Sequence, residues 1–207
     1  MIDTFAYLVA SNVAYAAPRA RLLGSMGGID PARIVVVVGE SAGDTVIDGV
    51  RHIGVPYRAF DYTALIAFVE SDGWGLPAHL FLLHDTMELG PNADRLIRQA
   101  DPAHNATVAF GGQCNLGLYR ADYLRRRAPF LVALKGCSKL ASVESEGMLW
   151  RSLSPHERGS YGGACLEVGT AIVYGGAARM KEVYTGVDVI KYKANWGQNM
   201  HAMVTTP

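Results

Sequence analysis

Neither sign of charge dominates this chain. Lys and Arg number 19 together, and so do Asp and Glu, so no overall basic field exists to gather a nucleic acid or an anionic membrane surface. Cysteine is scarce as well. Cys114, Cys137 and Cys165 are odd in number and share no CxxC spacing, which argues against a disulfide framework and a zinc knuckle and fits a reducing, cytoplasmic compartment. No apolar run approaches the ~20 residues of a membrane-spanning helix, and Met1-Ile2-Asp3-Thr4 lacks the positive start of a secretory signal. The sequence shows no internal repeat, low-complexity tract or domain-dividing linker.

What remains is a chain of 207 residues, half of them hydrophobic, which suits a single domain with one substantial core. Strand composition over residues 4–10 is followed by a helical stretch at 18–23 that Gly27-Gly28 stops. Ile34-Val35-Val36-Val37-Val38 is the clearest strand, because consecutive β-branched residues suit the pleated surface. Residues 46–53 read as a short helix, 55–60 as a strand, 63–70 as a helix and 79–83 as a buried strand. In the second half, helices are expected at 93–100, within 142–153 and at 177–184. Strands are expected at 106–110, 165–168, 171–174 and 187–192, and Asp122 is placed to cap a helix from Tyr123. The alternation predicts one α/β domain, a mostly parallel mixed sheet flanked by helices, whose N-terminal half is nucleotide-fold-like.

The stretch Leu80-Phe81-Leu82-Leu83-His84-Asp85-Thr86 ends a buried strand on groups able to bind a metal or move a proton. Ligands of such sheets collect at the carboxyl ends of strands, although a strand tip can equally begin a plain loop with Asp85 as a cap. Gly39-Glu40-Ser41-Ala42-Gly43 matches GxSxG, the nucleophile elbow of serine hydrolases, with Asp188 and His201 as its partners in the usual order. A third possibility is a non-catalytic nucleotide-binding α/β protein.

Three stretches together resemble GT-A fold glycosyltransferases, the nucleotide-diphospho-sugar transferase superfamily. Residues 34–45 are similar to the second strand and its loop, of pattern D-D-G-S-T-D-G-T; Ser41 and Thr45 match, whereas Gly39 and Gly43 stand where aspartates are common. His84-Asp85-Thr86 is similar to the D-x-D motif, with the carboxylate at the middle position only, and residues 111–124 resemble the arginine-bearing turn near the acceptor. The resemblance implies transfer of a sugar from a nucleotide-diphosphate sugar to an acceptor hydroxyl, with a nucleotide-binding half over about 1–90 and an acceptor-binding half over about 91–207. It implies a nucleotide site at Ala10, Ser11, Asn12, Glu40 and Asp44, and a diphosphate at His84, Asp85 and Thr86. A divalent metal would be held by Asp85, His84 and His201, Mn²⁺ rather than Mg²⁺ because of the imidazoles, with Arg120, Lys191 and Lys193 as cationic substitutes if none binds. Glu146, with Glu144 nearby, is the expected general base, and Trp74, Trp150 and Trp196 are stacking candidates.

Overall fold

The computed structural model describes residues 1–71, 73–110, 115–168, 171–173, 176–178 and 180–193. In chain order the elements are β1 (Ala6–Asn12), α1 (Ala16–Ser25), β2 (Ile34–Gly39), β3 (Asp44–Ile47), β4 (Val50–Val55), α2 (Thr63–Glu70), β5 (His79–His84), β6 (Met87–Leu89), α3 (Ala93–Ile97), β7 (Ala106–Val108) and β8 (Gly117–Arg120). There follow α4 (Ala121–Arg126), α5 (Ala128–Ala133), α6 (Lys139–Glu144), α7 (Met148–Arg151), β9 (Arg158–Ser160), β10 (Cys165–Val168), β11 (Ala171–Val173), β12 (Gly176–Ala178), β13 (Met180–Tyr184) and β14 (Val189–Lys193).

The main sheet has the order β3-β4-β2-β1-β5-β8-β7-β9. Its centre, β4-β2-β1-β5, is parallel, but β3 and β8 run antiparallel to their neighbours, and the second sheet, β10-β13-β14-β6, is antiparallel throughout. The architecture is therefore α/β with a mixed sheet and a second antiparallel sheet, and the expectation of a mostly parallel sheet is corrected. The reason lies in the connections. Parallel neighbours need crossovers of a dozen or more residues, whereas Asp48-Gly49 and the 185–188 turn join their strands directly as hairpins.

Period-2 alternation along the central strands divides the core into two clusters. Ala6, Leu8 and Ala10 of β1, Val35 and Val37 of β2, and Leu80 and Leu82 of β5 face α2. Tyr7, Val9, Val36, Val38, Phe81 and Leu83 face the other way, against Leu22 and Met26 and against Tyr184 and Val189 of the second sheet. Strands covered on both faces are apolar along their length, which explains the run in β2 and β5. Helix α2 is buried from Thr63 to Phe68 because α4 and α5 cover the side that the sheet does not.

Two helices expected from local composition are strands. Residues 46–53 fall in the β3–β4 hairpin, where Asp48 (φ +50°) and Gly49 (φ +81°) adopt the left-handed conformations of a two-residue type I′ turn. Moving β4 to Val50–Val55 also removes the strand expected at 55–60. Residues 180–184 form β13, since pairing with both β10 and β14 outweighs the helix propensity of Met180, Lys181 and Glu182. The helix expected within 142–153 is broken by Gly147 (φ +93°) into α6 and α7. Asp122 sits inside α4 rather than before it. No described helix is long and apolar enough to cross a membrane.

Candidate functional site

The chain proceeds from β1 through β2 to β4 on one side, then returns to place β5 on the other side of β1. The gap between the carboxyl ends of β1 and β5 is thus a topological switch point, where open α/β sheets bind ligands. Ala10 lies beside His84 in the ladder, and the Asp85 amide continues it by donating to the Ala10 carbonyl at 3.2 Å. Asp85 and Thr86 are also the only residues between β5 and β6, so the chain changes sheets at this point.

Each side of the switch point carries its own polar set. On the α1 side, Arg19 Nη1 donates to Ser11 Oγ at 3.1 Å and to the Asn12 carbonyl at 3.3 Å, while Ser11 also hydrogen-bonds the Asp85 carboxyl. On the α2 side, Asn12 Nδ2 donates to Glu40 at 2.7 Å, and His84 Nδ1 pairs with Thr86 Oγ1 at 2.8 Å. Beyond them lies the turn Phe60–Tyr62, with Lys139 Nζ 3.8 Å from Asp61. Strand β14 closes the crevice. Tyr192 donates its amide to the Thr86 carbonyl at 2.9 Å and Lys191 stands opposite Met87.

The electrostatics separate the two carboxylates. Burial pushes Asp85 up to about 7; hydrogen bonds from Ser11 and the Asn12 amide and the charge of Arg19 oppose this, and the charge of Asp61 adds to it. Burial would raise Asp61 too, but the charges of Lys139, His84 and Lys191 and an Asn115 hydrogen bond hold it at about 2. Opposed environments for neighbouring carboxyls are a recurrent feature of reactive sites. Arg19 is lowered by burial, with Asp85 opposing. Backbone strain gathers here also. Glu40 (φ +58°) and Phe60 (φ +52°) are non-glycine residues in left-handed conformations, and the Phe60 ring lies under Arg58 (4.5 Å) and Lys139 (5.1 Å).

Of the residues singled out in the sequence, Ala10, Ser11, Asn12, Glu40, His84, Asp85 and Thr86 converge at this end of the sheet, and Lys191 joins them. Asp44 does not. It is exposed on the edge strand β3, paired with Arg51 at 2.5 Å, four strand intervals or about 19 Å from β5. Arg120 stands opposite His79, at the far end of β5, and pairs with Asp122. Glu146 is half-buried between α6 and α7, and the preceding Ser145 carbonyl accepts the Tyr62 hydroxyl at 2.5 Å, which docks this segment beside Asp61. Glu144 is exposed. Trp74 meets Phe68 edge-to-face at 5.9 Å, and Trp150 donates to the Gly159 carbonyl at 2.8 Å with the Arg158 guanidinium 4.3 Å over its ring. His201, Trp196 and the Lys193 side chain lie outside the described residues.

The departures at Gly39 and Gly43 have steric causes. A Cβ at Gly39 would sit 3.0 Å from the Tyr57 carbonyl oxygen, and Gly43 has φ +94°. The loop from Ser41 to Gly43 folds back along β4, with Ser41 donating its amide to Val55 and Gly43 accepting from Gly54. Strand β3 follows it where a nucleophile elbow has a helix, so the strand–turn–helix that would present Ser41 does not form. Asp188 accepts from the Asn92 amide at 2.9 Å.

Compared with known proteins, the chain matches no family model and no curated relative.

A divalent ion asks for several carboxylate or imidazole donors converging on one point. Among the described residues no three His, Cys, Asp or Glu side chains do so. His84 Nδ1 is engaged with Thr86 and Asp61 is turned to Lys139. Arg19 is set against Asp85, Arg58 against Tyr15, and Lys139 and Lys191 against Asp61, so four cations stand about the two carboxylates. Arg19, Arg58, Asp61, Asn115 and Lys139 escaped the sequence reading. Placing a strand over 55–60 hid the loop that carries Arg58 and Asp61; the cue was Pro56 and the polar, aromatic run after it, which fit a strand end.

Proposed function

We propose that this chain is a glycosyltransferase that moves a sugar from a nucleotide-diphosphate sugar to an acceptor hydroxyl. The observation that carries the reading is the convergence of carboxylates and cations at the β1/β5 switch point. A transferase must bind an anionic diphosphate, stabilise its charge as it leaves, and deprotonate an acceptor. Cations from α1, α6 and β14 supply the first two needs. Ser11, Asn12 and Glu40 line the side toward β2, where a nucleoside would lie, and His84, Asp85 and Thr86 line the diphosphate side. The docked Glu146 segment supplies a carboxylate for the acceptor.

Incubating the chain with a panel of nucleotide-diphosphate sugars and pooled small-molecule and glycan acceptors, with release of nucleoside diphosphate as the readout, tests this. Acceptor-dependent release, lost in Glu146→Gln, is the expected result. Binding of a nucleotide sugar with no turnover in any acceptor pool would instead support a non-catalytic nucleotide-binding protein.

A further inference from the structure

Resting on the transferase reading, we infer that Lys191, Lys139 and Arg19 bind and neutralise the diphosphate of the donor, in the role a divalent ion plays elsewhere, with Asp61 as the carboxylate that holds Lys139 at the crevice. Three separate elements carry these cations to the carboxyl ends of β1 and β5. Lys191 belongs to β14, which the Tyr192 amide ties to the Thr86 carbonyl at 2.9 Å, so the lysine is anchored next to the sheet-changing residues. It is 8 % exposed and lies opposite Glu182, which is 3 % exposed and accepts the Tyr184 hydroxyl at 2.6 Å. The charge of Lys191 acts on Asp61, as that of Lys139 does.

Lys139 opens α6 behind the Ser138 cap, whose hydroxyl oxygen accepts from the Ala141 amide at 3.1 Å, and it lies between Asp61 and the Phe60 ring. Among the described residues Arg19 is hydrogen-bonded through Nη1 alone, to Ser11 and the Asn12 carbonyl, so its fork keeps further donors that suit a phosphate oxygen. Asn115 adds an independent sign of a ligand. It is 5 % exposed and its amide donates to Asp61, yet its side-chain oxygen has no hydrogen-bond partner among the described residues. A buried acceptor in that state awaits a donor, as a sugar hydroxyl would be.

Calorimetric titration of the chelator-treated full chain with inorganic pyrophosphate and with a panel of nucleoside diphosphates, in EDTA and in Mn²⁺, tests the assignment. Saturable binding in EDTA that Mn²⁺ changes by less than about threefold is expected, with Lys191→Met and Lys139→Met each weakening it about tenfold or more, and the Arg replacements retaining it. Added salt should weaken it further. If Lys191→Met fails to fold, Lys139→Met decides. Binding that requires Mn²⁺, or is indifferent to both Met replacements, overturns the inference and leaves the transferase reading standing. Pyrophosphate binding without binding of any nucleoside diphosphate upholds the cation site and sinks the transferase reading. Binding of neither probe overturns both.

Discussion

Replacing Asp94 with Ala is expected to destabilise the fold by about 2–4 kcal/mol, although the residue lies far along the chain from the strands it supports. One carboxylate oxygen accepts the Tyr7 hydroxyl at 3.0 Å and the Arg33 guanidinium at 2.7 Å, and the other accepts Arg98 Nε at 2.9 Å. Tyr7 is fully buried in the central strand, so an orphaned hydroxyl there costs about 1–3 kcal/mol. The two arginine pairs, a quarter exposed, add about 0.2–1 kcal/mol each. Burial would raise Asp94, but the hydrogen bonds and charges of Arg33 and Arg98 and the Tyr7 hydroxyl hold its carboxyl below the ordinary value. A depressed carboxylate contributes stability that is present above the unfolded value of about 3.9 and lost as pH falls through the folded one. Urea unfolding should therefore show a constant gap between wild type and Asp94→Ala from about pH 6 to 8 that shrinks below about pH 4, with unchanged denaturant slope. The same substitution in a Tyr7→Phe background should cost about 1 kcal/mol less. A loss under about 0.5 kcal/mol at neutral pH, or a gap that ignores pH, would refute the reasoning.

Three further outcomes follow from the same physics. Because the folded Asp85 carboxyl titrates near 7 against an ordinary 3.8, its ionisation lowers stability as pH rises between those values; Asp85→Asn should be more stable than wild type at pH 8, by up to about 4 kcal/mol, level with it near pH 3.5, and defective in turnover. Equal stability at pH 8 in urea unfolding would show that the carboxyl is not strained there. Gly49→Ala should lower stability by about 1 kcal/mol or more, since φ is +81° and the new methyl would lie 3.0 Å from Pro31, and a thermal melt unchanged from wild type would speak against the hairpin. Ser41→Ala should leave nucleotide-sugar turnover intact and wild type should resist fluorophosphonate labelling; labelling at Ser41 would revive the hydrolase.

The first half of the fold was largely legible. Buried strands announce themselves when they are β-branched and apolar on both faces, as in β2 and β5, and α2 reads as a helix because eight residues without a breaker fill a closed niche. What failed was governed by partners remote in sequence or by turn chemistry. Asp48-Gly49 is a hairpin signal inside a stretch whose spacing also suits a helix, and β13 is a strand only because β10 and β14 flank it.

The site divides in the same way. His84-Asp85-Thr86 and Ser11-Asn12 are strand tips and carry a local signature, and Lys191 was named through the resemblance, while Asp61 and Lys139 come from a turn and a helix start that the tertiary fold assembles. Asp44 is the converse case. The resemblance put it in the nucleotide site although it stands one place off the loop pattern, and the hairpin carries it to the sheet edge and gives it to Arg51.

The most direct test of the central claim is the melting temperature of the chain against UDP, GDP, ADP, CDP and dTDP. One nucleotide should raise it saturably, reaching about 2.7 kcal/mol of added stability at a hundredfold excess over Kd, with Lys139→Met reducing the effect. No saturable rise with any of them would contradict the placement of a nucleotide-sugar site between β1 and β5.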